Sequence, residues 1–138
     1  MKIRFGDIED AFLYVSMGPM FGNQAMLSKE TGEIFYISEM GDSDDLPDDI
    51  DESDSYVEIP HKNELDLGRE LVFRFVSEHL PEEYNQVDLI FRRKGAYSRY
   101  KDLLEQKGLL DQWYEFENDT QSKALREWCI ENNIELID

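Results

Sequence analysis

Residues 92–101, Arg92-Arg93-Lys94-Gly95-Ala96-Tyr97-Ser98-Arg99-Tyr100-Lys101, hold five of the chain's 14 basic residues and no acid, with two tyrosines interleaved. A guanidinium presents a rigid fork of donors that matches an oxyanion, and an aromatic ring offers a flat apolar platform beside it. Together they suit phosphate, single-stranded bases or acidic peptides. The candidate interaction residues are therefore Arg92, Arg93, Lys94, Tyr97, Arg99, Tyr100 and Lys101. The same charges could instead be consumed by the chain's own surplus of acids, which would leave no usable face.

No other group of residues has the composition or spacing of a reaction centre. His61 and His79 are the only histidines and are far apart in sequence, so no His-x-x-x-His pair or Cys-His cluster exists to ligate a transition metal. His61 at a strand exit and His79 near a helix C-terminus fit structural roles. Cys129, the only cysteine, lies between Trp128 and Ile130 on an apolar helix face, where a thiol behaves as a small buried hydrophobe. Ser16 lacks the Gly-x-Ser-x-Gly frame of a nucleophile elbow, and no Gly-Lys-Ser/Thr phosphate loop occurs. Asp42-Ser43-Asp44-Asp45-Leu46-Pro47 departs from a calcium loop at Leu46 and at Pro47, which stands where glycine is required. No catalytic, cofactor-binding or metal-ligating residue is assigned. A non-enzymatic protein-interaction or adaptor domain is the leading expectation, with nucleic-acid binding and a motif-less enzyme as alternatives.

The bulk composition restricts the partners. There are 32 acidic residues against 14 basic, a formal net charge of −18. Such a surface repels phosphate backbones and anionic lipid headgroups, so nucleic acid is disfavoured and a membrane is not expected. A basic protein partner is electrostatically easier, although acidity also serves solubility alone. One cysteine allows no intramolecular disulfide. No signal peptide and no apolar stretch of membrane-spanning length is recognisable, so a cytoplasmic location is the default. Oligomeric state is not readable.

The elements that must position residues 92–101 follow from periodicity. Ile8, Ala11, Phe12 and Val15 predict a helix over 7–17, stopped by Gly18-Pro19. Residues 25–28 and 34–37 flank a polar connection carrying Gly32 and predict a β-hairpin, with a third strand over 56–59 closed by Pro60. Eight of the thirteen residues 42–54 are acidic, which predicts a flexible, solvated loop over 41–55. Helices are predicted over 63–79, from Pro81 to about Phe91, from Ala96 to near Gly108, and over 109–116. A last helix follows a capping-box-like Asn118 and Gln121, and residues 134–137 return as a short edge strand. The fold class expected is α+β: a small antiparallel sheet packed against a mostly helical C-terminal half, with residues 1–138 forming a single domain.

The ordered string of features resembles an uncharacterised bacterial protein family of unknown function. The resemblance rests on Ser28-Lys29-Glu30-Thr31-Gly32-Glu33-Ile34, an acidic stretch, and Tyr56-Val57-Glu58-Ile59-Pro60. It continues through Lys94-Gly95-Ala96-Tyr97-Ser98-Arg99-Tyr100-Lys101-Asp102-Leu103-Leu104, Trp113-Tyr114-Glu115-Phe116 and Glu127-Trp128-Cys129. It spans about Ala25 to Ile134. The family pattern has Phe at both aromatic positions where this chain carries Tyr97 and Tyr100, which keep ring volume but add hydroxyls that need partners or solvent. It has Leu where this chain carries Cys129, which favours packing over thiol chemistry there. The resemblance implies a compact α+β protein and supplies no activity, substrate or cofactor.

Overall fold

The first described element is β1 (Lys2–Arg4), which leads directly into α1 (Phe5–Ser16). The computed structural model describes residues 2–20, 22–41, 46–48, 50 and 54–137. They fall into two compact units, residues 1–65 with 122–138 and residues 66–121.

In the first unit α1 turns Phe5, Ile8, Ala11, Phe12 and Val15 inward, the three-to-four spacing that places side chains on one helical face. Strands β2 (Gln24–Ser28) and β3 (Ile34–Ile37) form the expected hairpin, with Met26 opposite Phe35 and Leu27 opposite Ile34. Gly32 takes the left-handed conformation (φ 80°) that the turn needs. β4 (Tyr56–Glu58) pairs antiparallel on the other side of β2, giving the order β3-β2-β4. β5 (Glu135–Ile137) pairs parallel with β1 in a separate two-stranded sheet, with Ile3 opposite Leu136.

The segment leaving β4 is clipped to the end of α1. The Lys62 amide donates to Ser16 Oγ (3.1 Å), and the buried His61 ring bridges two backbone groups. Its Nδ1 accepts from the Asn63 amide (3.1 Å), so Nε2 carries the proton donated to the Gly18 carbonyl (2.9 Å). His61 thus has the structural role expected of it.

The second unit is helical: α2 (Arg69–His79), a 3-10 turn at Pro81–Glu83 running into α3 (Tyr84–Ile90), α4 (Ala96–Gln106), and the start of α5 (Leu110–Glu131). Gly108 (φ 71°) ends α4: the Leu109 amide donates to the Leu104 carbonyl and the Gly108 amide to that of Glu105. Asn133 (φ 59°) ends α5 in the same way, with Ile134 bonded to Cys129 and Asn133 to Ile130. Cys129 is buried, as expected, one helical turn from the buried Leu125.

The architecture is α+β, as expected. Three expectations need correction. The helix over 63–79 is broken: Lys62–Leu65 is a 3-10 turn, Asp66 adopts a left-handed conformation (φ 57°) and α2 begins only after Gly68. The apolar periodicity runs through this break because Leu67, between the turn and α2, is buried along with Leu71, Val72, Phe75 and Val76 of α2. Conversely, no break occurs at Asn118, and 110–131 is one helix. Each polar residue of 117–123 costs only a few tenths of a kcal/mol in a helix, and that stretch instead holds the boundary between the two units. β1 is a third difference, since its two charged residues flank a single apolar one. Most acidic residues of the predicted loop 41–55 lie outside the described residues; Ile50, within it, is 6% exposed.

Two expected outcomes follow. His61→Ala leaves the Gly18 carbonyl and the Asn63 amide without their partner and should cost about 2 kcal/mol in urea unfolding. Glu58 has its pKa raised, first by partial burial of the carboxylate and then by the negative charge of Glu64. The fold therefore disfavours its anion, a penalty present above the folded-state pKa and absent below the ordinary carboxylate range. Glu58→Gln should raise stability at neutral pH, and that gain should shrink as unfolding is repeated at falling pH.

Candidate interaction surface

The basic segment lies at the junction of α3 and α4, and aromatic packing sets its orientation. Phe91 closes α3 and is buried. The Arg69 guanidinium lies over its ring (5.7 Å) and donates to its carbonyl (2.7 Å), placing a cation where the helix C-terminus carries negative potential. Arg92 and Arg93 follow in a turn whose amides bond back to Leu89 and Ile90, and Gly95 (φ 75°) allows α4 to start. A side chain at Gly95 would be strained by that conformation.

Six of the seven candidate residues separate into three groups, and the seventh, Lys94, is exposed in the turn before Gly95 and does not line the groove. Arg92, Arg93 and Arg99 line one groove of about 380 Å³ together with Gln86, Leu89 and Ile90. Arg92 is held by Asp88 one turn earlier (2.9 Å), and Arg99 donates to the Lys94 carbonyl across the turn. Among the described residues the Arg93 guanidinium and the Lys94 ammonium meet no carboxylate, and both side chains are exposed. Among the described residues, Asp88 is the single carboxylate that pairs with these basic residues.

The second group is turned elsewhere. Lys101 lies over the Tyr114 ring (5.3 Å), and Tyr97, 38% exposed, packs edge-on against Phe91 (5.0 Å). Partial burial and then Glu117 push the Tyr97 phenol pKa up, with Arg69 opposing. Neither residue lines the arginine groove. The third group is Tyr100 alone. It is 0% exposed, edge-on to both Phe91 (5.7 Å) and Trp113 (5.1 Å), and belongs to the core. Its hydroxyl and the Trp113 Nε1 have no hydrogen-bond partner among the described residues.

Gln86, Leu89 and Ile90 are not among the candidate residues of the sequence, where they fall within the helix expected from Pro81 to about Phe91. Leu89 is 62% exposed. The available signal was crowding: Val87, Leu89, Ile90 and Phe91 span too much of a short helix's circumference to be buried together.

Two further grooves flank the same helices. One of about 550 Å³ is lined by Phe73 and Tyr84 and by two residues of each charge, Arg69 and Arg74 with Glu70 and Glu78. The other, about 280 Å³, sets His79 and Lys107 against Glu82 and Glu83. No group of three or more metal-ligating side chains is assembled among the described residues, and none of their helices is long and apolar enough to cross a membrane.

The family described as "Uncharacterised protein family (UPF0158)" matches residues 5–138. The chain belongs to that family. The match includes the α3–α4 turn and every residue that lines the groove. No curated protein and no solved structure matches the chain.

Burial, and then the negative charge of Glu117, push the Tyr100 phenol pKa far above its ordinary value. The fold keeps this hydroxyl neutral while the unfolded chain ionises it in the usual tyrosine range, so its contribution to stability is lost as pH rises above that range. Tyr100→Phe should therefore stabilise the protein by about 1 kcal/mol at neutral pH by removing an unpartnered buried hydroxyl. It should also lessen the loss on going to alkaline pH, both read from urea unfolding midpoints.

Proposed function

We propose that this chain is a non-enzymatic protein-interaction module that engages its partner through the groove bearing Arg92, Arg93 and Arg99. The observation that carries the reading is the convergence of three guanidinium groups on one concave surface of a chain with net charge −18. In so acidic a protein, scattered cations would be expected to meet carboxylates. Three cations around one groove, with a single carboxylate partner among the described residues, are a segregated charge. Leu89 adds exposed apolar surface to the same groove, the combination from which protein contacts draw both orientation and desolvation energy. Enzymatic chemistry has less support, because no carboxylate, histidine, cysteine or hydroxyl side chain lines this groove among the described residues. Nucleic acid is also less favoured: Tyr100 is buried and Tyr97, though exposed, does not line the groove, so among the described residues the groove's own lining offers no ring for bases to stack on.

Affinity capture from lysate of the source cells, with wild-type protein and an Arg93→Glu/Arg99→Glu variant as parallel baits, tests the reading. A protein retained by the wild type and lost by the variant, at an unchanged thermal midpoint, is the expected result. Identical captured sets would sink it.

A further inference from the structure

We infer that the Arg92/Arg93/Arg99 groove recognises an acidic segment of the partner in which a carboxylate side chain neighbours an aliphatic one. This rests on the interaction reading above and adds the chemistry of the ligand. The three grooves of the α2–α4 region supply the comparison. The largest is lined by Phe73 and Tyr84 together with two arginines and two glutamates; the smallest is lined by His79, Lys107, Glu82 and Glu83, with Lys107 paired to Glu83 at 3.3 Å. Each already holds its own counter-charge. The arginine groove alone has a lining whose charged members are all cationic. Its unmet requirement is negative charge.

The lining also specifies more than charge. A carboxylate can take two parallel donors from one guanidinium, and Arg93 meets no carboxylate of the chain among the described residues, so its fork is available for such a pair. Arg92 and Arg99 are already oriented by Asp88 and by the Lys94 carbonyl, which reduces the side-chain entropy lost when a ligand arrives. Exposed Leu89 and half-buried Ile90 offer an apolar strip beside the cations. Gln86 provides an amide able to donate to or accept from a peptide backbone. An anion without an apolar neighbour would leave Leu89 in water. An apolar segment without an anion would bury guanidinium groups unpaired. Both requirements are met by acid and aliphatic residues adjacent in one segment.

The acidity of the whole chain adds a second signature. An acidic peptide approaches against a long-range field of the same sign, while its contact is attractive only locally. Added salt screens both, so the affinity should change little. A nucleic acid, held by phosphate contacts, would instead lose affinity steeply with salt.

Fluorescence anisotropy on the full chain tests this with three labelled peptides: one alternating Glu and Leu, one with every Glu replaced by Gln, and one with every Leu replaced by Ser. A labelled single-stranded oligonucleotide and inorganic phosphate serve as competitors. The Glu/Leu peptide should bind, with affinity at least about tenfold above the Gln peptide and severalfold above the Ser peptide. Arg93→Glu/Arg99→Glu should abolish the preference for Glu, and Leu89→Ser the preference for Leu, while circular dichroism melts stay unchanged. Equal binding of the Glu and Gln peptides, displacement by phosphate or oligonucleotide at comparable concentration, or no peptide binding at all would overturn the inference. If capture of a partner still depends on Arg93 and Arg99 in that event, only the ligand chemistry is wrong. If it does not, the interaction reading falls as well.

Discussion

The helical unit depends on one continuous train of rings. Tyr84 packs on Phe73, Phe73 on Phe91, Phe91 on Tyr100, Tyr100 on Trp113 and Trp113 on Phe75, with centroid separations between 5.0 and 6.0 Å for every step. Most steps are edge-to-face, the arrangement in which the positive rim of one ring meets the negative face of the next. The train joins α2, the end of α3, α4 and α5. It is strong enough to hold Trp113 and Tyr100 fully buried although the indole N–H and the phenol O–H have no hydrogen-bond partner among the described residues.

Much of the surface follows from that constraint. With Tyr100, Leu103 and Leu104 fixed inward, the 100° step of a helix turns Arg99 to one flank of α4 and Lys101 to the other. A run of basic residues that is contiguous in sequence is thereby divided. Phe91, pinned by its neighbours and by Arg69, sets where α3 stops and hence where Arg92 and Arg93 emerge. The groove is a by-product of core packing with a useful charge.

Several elements were legible because local chemistry and tertiary structure agree. Gly32, Gly95, Gly108 and Asn133 stand where the chain needs a left-handed residue, and the hairpin and the ends of α4 and α5 fall accordingly. Legibility failed where a pattern has two physical meanings. The polar stretch after Phe116 reads as a cap, yet it lies on a helix that continues from one unit into the other. The interleaved tyrosines of 92–101 read as part of a basic surface, yet one is core: sequence gives ring type, whereas the helical phase of Tyr100 relative to Phe91 and Trp113 decides its burial. β1 was invisible because its partner β5 lies at the far end of the sequence, and no local pattern encodes so distant a pairing.

That pairing has a bearing on biosynthesis. All residues of the helical unit, 66–121, leave the ribosome before 122–138, which the first unit requires both for the remainder of α5 and for the strand that pairs with β1. Translation therefore delivers every residue of the arginine-bearing unit while β1 is still without its partner strand. Closure of the β1–β5 pair is therefore a late event, after all of residues 66–121 have been made.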